Sequence, residues 1–193
     1  MEKTGFPTVQ MDHRSRLLCL LKEKAFQRKR VTLASGRESD FYIDCRNVSL
    51  LAEGLFLIGK QIFEIIENLD TPVEGVGGPT LGADPIVSAV SYTSYLEASP
   101  IPAFIIRKEP KSHGSGQWLE GAGAIAKGAP VAIVEDVVTT GMSAIKAAKR
   151  AEEAGFKVAV IIALVDRDEG GREEIERAGY KLISLFTRHD FME

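Results

Sequence analysis

The sequence predicts an α/β fold: a doubly wound parallel sheet flanked by helices, with a small N-terminal cap. Three observations predict it. Apolar strands alternate with amphipathic helices along most of the chain. The runs at 131–134 and 158–165 are apolar without alternation, as in strands buried on both faces. Glycine-bearing turns follow several of these strands and lead into helices, the rhythm of right-handed crossovers.

The elements follow in order. A helix is expected over 14–28, with Leu17, Leu18, Leu21 and Ala25 on one face. Segments 31–33 and 40–44 predict a short strand pair around the turn Ser35-Gly36-Arg37. A second helix over 51–68 carries Leu55, Ile58, Ile62 and Ile65 at helical spacing. A strand at 73–76 is expected to stop at Gly77-Gly78-Pro79, with a helix over 81–95 behind it. Segment 102–106 is the next strand, followed by a long polar loop and then the strand at 131–134. The helix over 143–154 has Ala144, Ala147, Ala148 and Ala151 on its inner face. Gly155 ends it, and Lys149 and Arg150 suit its negative end. A strand at 158–165, a short helix at 173–178 and a strand at 181–185 complete the chain.

The 193 residues suffice for one domain with a real core and hardly for two, so a single domain over 1–193 is expected, with the cap at about 1–48. Hydrophobic residues make up 45% and charged residues 26%, close to globular averages. A net charge of −3 and a pI near 5.7 exclude a nucleic-acid binder working through bulk charge. Cys19 and Cys45 lie in apolar or strand-like segments without metal-ligand spacing, which predicts buried free thiols. The amino end shows no secretory pattern, and the longest apolar run is too short to span a bilayer. A cytoplasmic protein without membrane or nucleic-acid partners is therefore expected.

Four segments carry chemistry. In the first, Glu135 and Asp136 end an apolar strand, where open parallel sheets bind ligands. Val137, Val138, Thr139, Thr140, Gly141, Met142 and Ser143 follow into a helix start, whose backbone N–H groups and dipole favour a phosphate. Carboxylates for sugar hydroxyls beside a phosphate cradle describe a ribose 5-phosphate site; the bland reading is a Glu-Asp pair that merely caps a strand. The second, 75–83, is a glycine-rich turn that lets backbone approach a ligand or is simply a tight turn. The third gathers Arg107, Lys108, Lys111 and His113 on a stretch broken by Pro110, Gly114 and Gly116. It reads as a mobile anion-binding lid, or as a solvated surface loop. In the fourth, Arg167 either pairs with Asp166 or Asp168 or presents its planar fork to a substrate carboxylate.

With these residues in view, the chain resembles the orotate phosphoribosyltransferase family of type I phosphoribosyltransferases over nearly its whole length. Thr32-Leu-Ala-Ser35-Gly36-Arg37, Arg107-Lys108-Glu109-x-Lys111-x-His113-Gly114, Val134-Glu135-Asp136-Val-Val-Thr139-Thr140-Gly141 and Asp166-Arg167 carry the resemblance. The resemblance implies transfer of ribose 5-phosphate from 5-phosphoribosyl 1-diphosphate to orotate, giving orotidine 5'-monophosphate and diphosphate in pyrimidine (UMP) biosynthesis. It implies Mg2+ bound mainly through the substrate diphosphate, with no dedicated protein metal site. It also implies a homodimer whose lid reaches the neighbouring active site. Lys111 and Asp136 would be catalytic. Arg107, Lys108, Lys111, His113 and residues 135–143 would bind the phosphoribosyl diphosphate, and Thr139 and Arg167 would contact orotate. The sequence departs from the common bacterial pattern at Ala34 and at Leu81-Gly82, where many members carry a lysine and a Tyr-Lys pair. Two alternatives share the fold: a phosphoribosyltransferase for another base, and a non-catalytic regulator that senses the same ligand. The missing basic tract and the low pI disfavour the regulator.

Overall fold

A computed structural model of the chain describes residues 12–32, 38–110 and 117–192. The chain begins with α1 (His13–Lys24), capped by the Asp12 side chain, which accepts from Ser15 N–H. An antiparallel pair follows, β1 (Phe26–Thr32) with β2 (Glu38–Ile43). The expected turn at Ser35-Gly36-Arg37, and Ala34 with it, lie outside the described residues. Next come α2 (Arg46–Ser49), α3 (Ala52–Glu67), β3 (Gly75–Pro79), α4 (Ala83–Leu96), β4 (Ala103–Ile106) and the short β5 (Leu119–Glu120). The chain closes with β6 (Pro130–Val138), α5 (Met142–Glu153), β7 (Lys157–Asp166), α6 (Gly171–Arg177), β8 (Leu182–Thr187) and α7 (Arg188–Met192).

The main sheet has the order β5-β4-β3-β6-β7-β8. Its strands are parallel except for β5, which returns antiparallel along β4 as an edge. Alternate residues of the central strands feed two cores, as the period of two requires. Ala132, Val134, Ile162 and Leu164 pack toward α1, α3, α4 and α7. Val131, Ile133, Ile161 and Ala163 pack toward α5 and α6. A doubly wound sheet results, in the class the sequence predicts.

Several elements depart from expectation for physical reasons. The first helix ends at Lys24, four residues early, because Phe26 turns inward against Phe41 and Phe191 (ring centroids 4.9 and 5.5 Å) and begins a strand. Strand β3 runs through the glycines instead of stopping at them. A Cβ at Gly77 would sit 2.2 Å from the Phe104 ring, so the glycine serves close packing within the strand. Strand β6 continues to Val138, so Glu135 and Asp136 lie within its last turn of pleat and not beyond it. Helix α7 has a signal that pattern reading passes over: Asp190 accepts from the Thr187 N–H at 2.7 Å, half of a capping box. Of the cysteines, Cys45 is buried as expected, whereas Cys19 on α1 is only half-buried.

Candidate active site

The carboxyl ends of β3, β6 and β7 open on one cleft of about 450 Å3. The turn 79–82 forms one wall, and Tyr42, Ile43, Asp44 and Arg46 form another. Glu135, Asp136, Val137, Thr139, Ser143 and Arg167 line its floor, and Lys108 also borders it. A smaller recess of about 220 Å3 adjoins it, lined by Glu135 and by Val137, Val138, Thr139, Thr140, Gly141, Ser143 and Ala144.

The recess is built by the β6–α5 turn. Gly141 holds φ +76° just before α5, and an added Cβ there would meet the Gly171 carbonyl at 2.6 Å. Only glycine combines that backbone with that contact. The turn ends on the positive end of a twelve-residue helix, where unpaired N–H groups suit an anion. Met142 lines neither cavity, and its side chain is half-exposed.

Glu135 is 6% exposed, and its Oε2 has no hydrogen-bond partner among the described residues. Its carboxyl is pushed up to about 8, first by burial and then by the adjacent Asp136 charge, while Ser143 pulls the other way. Asp136 is half-buried and also raised, mainly by burial. Its Oδ1 accepts from the Val137 N–H at 2.8 Å, and its backbone carbonyl lies 3.8 Å from Cys45 Sγ. A buried acceptor facing a cleft without a partner costs about 1–3 kcal/mol, which a ligand donor can relieve. The close approach of the turn to this pair depends on Gly82, where a Cβ would stand 2.1 Å from Asp136 Oδ2.

Arg167 pairs with Glu169 in place of the Asp166 or Asp168 partners the sequence suggested. It is 7% exposed, donates to the Phe41 carbonyl at 2.6 Å and pairs with Glu169 at 2.9 Å. Asp166 is instead taken by Arg172 at 3.2 Å. The guanidinium is therefore fixed by its neighbours while still lining the cleft beside Thr139. Of the cations the sequence assigned to a lid, Lys108 borders the cleft, but Arg107 does not. Arg107 pairs with Glu120 at 3.1 Å and faces a neighbouring cavity of about 500 Å3. Lys111 and His113 lie outside the described residues. Among the described residues, no cluster of three or more metal-ligating side chains is present. The wall at Tyr42 to Arg46 escaped sequence reading, because a strand end followed by Asp-Cys-Arg carries no recognisable signal.

No protein-family model matches the chain. The orotate phosphoribosyltransferase of Sorangium cellulosum is 50% identical to it over 179 residues, 93% of this chain and 93% of that protein. Its namesake from Aquifex aeolicus is 44% identical over 160 residues, covering 83% of this chain and 85% of that one. The crystal structure of the Mycobacterium tuberculosis orotate phosphoribosyltransferase in complex with 5-phospho-α-D-ribosyl 1-diphosphate matches it with a TM-score of 0.76 and 34% identity, over 94% of this chain and 99% of that chain. With half of its aligned residues shared with one such enzyme and its backbone course shared with another, the chain belongs to the orotate phosphoribosyltransferase family.

Proposed function

We propose that this chain transfers ribose 5-phosphate from 5-phosphoribosyl 1-diphosphate to orotate, yielding orotidine 5'-monophosphate and diphosphate in pyrimidine (UMP) biosynthesis. One observation carries it: a buried carboxylate oxygen of Glu135 with no hydrogen-bond partner among the described residues, the helix-start cradle of α5 and Arg167 all border one pair of adjoining cavities. Donor and acceptor parts of a phosphoribosyl ligand and a carboxylated base match these three features in turn.

Breaking the C1–O bond generates a cationic ribose and a highly charged leaving group, so positioning and charge stabilisation are the protein's task. The 5-phosphate sits in the recess on the N–H groups of 139–143. Glu135 and Asp136 take the ribose hydroxyls, and Asp136 faces the positive charge that develops at C1. The turn 79–82 and Lys108 meet the diphosphate, with Lys111 and His113 closing from the lid. Thr139 and Arg167 orient orotate. Because Arg167 already spends donors on Phe41 and Glu169, it offers a fixed direction instead of a mobile charge. A Mg2+ ion carried in with the substrate would supply positive charge for the leaving diphosphate, and the Glu135 and Asp136 side chains at the cleft floor would be the residues to hold it. The active form is a cytoplasmic homodimer in which each lid serves its partner's site.

The test is loss of orotate absorbance on adding 5-phosphoribosyl 1-diphosphate and Mg2+, with uracil, hypoxanthine and adenine as competitors. Orotate alone should be consumed. Asp136→Asn, which keeps the side-chain shape and the Val137 contact, should lower turnover by about 10^2-fold or more while leaving the melting temperature close to wild type. Full activity in that variant would remove Asp136 from the site.

A further inference from the structure

Arg46 is the one cation of the cleft that the mechanism above leaves without a task. Among the described residues three cationic side chains line the cleft: Arg46, Lys108 and Arg167. Arg167 is buried and committed to the Phe41 carbonyl and Glu169. Lys108 stands at the root of the lid. The turn that would receive a diphosphate, Pro79 to Gly82, carries no positive side chain, and its Gly82 is pressed against Asp136. A diphosphate placed there meets the Asp136 carboxylate and a wall without a positive side chain, so a cation from another wall, added to Lys108, is favoured electrostatically.

Arg46 occupies such a wall and is held ready. Asp44 grips it through two bonds of 2.8 Å, Nε to Oδ1 and Nη2 to Oδ2, and also accepts the Arg46 backbone N–H at 3.1 Å. That clamp leaves the Nη1 edge, with its two N–H groups, unspent on Asp44. A guanidinium fixed by one bidentate partner retains a planar edge of set direction, which suits a phosphate oxygen better than a freely rotating ammonium does. The Asp44 carboxyl is held below its ordinary value, chiefly by the Arg46 hydrogen bonds, so the clamp stays charged. The Arg46 charge also reaches Asp136, whose carboxyl it acts to lower against the stronger effect of burial. Arg46 therefore lies within electrostatic range of the carboxylate beside the diphosphate turn.

We propose that Arg46 is a further substrate-binding residue, clamped by Asp44 and donating through Nη1 to the diphosphate of the phosphoribosyl donor. The proposal rests on the phosphoribosyl-transfer function of the same cleft. It assigns Arg46 to the diphosphate and not to the 5-phosphate, because Arg46 lines the large cleft and is absent from the recess at the start of α5.

Calorimetric titration tests it, using the full chain and two ligands, 5-phosphoribosyl 1-diphosphate with Mg2+ and ribose 5-phosphate. Arg46→Gln should weaken the diphosphate ligand by about 10-fold or more, the size of a lost charge-assisted bond. Ribose 5-phosphate should bind the variant within about twofold of wild type, and Arg46→Lys should recover part of the loss. Arg46 is half-exposed, and thermal melting of both variants checks that the fold is intact. Unchanged affinity for the diphosphate ligand overturns the proposal, as does an equal loss for both ligands. If folded wild-type protein bound neither ligand, the function beneath the proposal would fall with it, a result distinguishable because it shows before any substitution is made.

Discussion

At the scale of single residues, Glu135 is the side chain whose chemistry the fold has altered most clearly. Its carboxyl is raised to about 8 from 4.5, so the folded chain holds a proton that the unfolded chain has released by neutral pH. A carboxyl raised on folding contributes stability that is present below pH 4.5 and lost as pH climbs through about 8. Glu135→Gln removes that dependence. The variant should melt near wild type at pH 4, and increasingly above it between pH 5 and 9, by ~2–4 °C for each kcal/mol relieved in a chain of this size. Parallel melting curves across that range would show that Glu135 is ionised at ordinary pH in the fold. Residues of this kind were legible only in part. An apolar run ending in Glu-Asp announced a ligand site, because carboxylates at a buried strand's end need a reason. The partners of Arg167 were not legible, since Asp166 and Asp168 are its chain neighbours while the pleat and the turn deliver Glu169 instead. Arg46 was equally hidden. The other walls of the cleft it borders come from segments distant in sequence.

At the scale of elements, the strand-to-helix turn from β6 to α5 ties fold and site together most tightly. It was the most legible element, because a β-branched run, a Thr-Thr-Gly turn and an alanine-faced helix each follow a local rule. Ala144, Ala147, Ala148 and Ala151 are all buried, as the spacing requires. What local rules did not reveal is how closely the turn packs on the start of α6, where Gly171 stands opposite Gly141. Gly141→Ala therefore carries two penalties, the left-handed backbone and the contact with the Gly171 carbonyl. The first alone costs ~1–2 kcal/mol, a fall of roughly 2–8 °C in melting temperature. Because relief of the contact must displace the cradle, ribose 5-phosphate affinity should fall as well, by about 10-fold or more, the loss expected when one or more charge-assisted bonds are misaligned. A variant that melts lower but binds ribose 5-phosphate normally would separate the turn's structural role from phosphate binding. Strand β3 teaches the reverse lesson. Its glycines suggested a stop, but inter-strand packing against Phe104 makes glycine a strand residue there.

At the scale of the whole molecule, the N-terminal elements and the sheet share one core. Leu17, Leu21 and Phe41 cluster with Val134, Ile162, Phe186 and Phe191, so movement of the wall that carries Arg46 strains the packing beneath the cleft. Among the described residues of the expected lid, Lys108 borders the cleft, whereas Arg107 pairs with Glu120 and faces a neighbouring cavity. Sharing between subunits is the arrangement proposed above, and it makes a quantitative prediction. Lys111→Ala and Asp136→Asn proteins, each nearly inactive, are mixed under conditions that exchange subunits. Random exchange of equal amounts makes about half of all dimers hybrid. If Lys111 serves its partner's cleft, each hybrid dimer contains one site bearing both defects and one bearing neither. The mixture should then regain about a quarter of wild-type activity. If Lys111 serves its own subunit, every hybrid site keeps one defect and no activity returns. Native mass spectrometry of the mixture verifies that hybrids have formed, so a silent mixture rich in hybrids would place the lid in its own subunit's cleft and end the shared-site model.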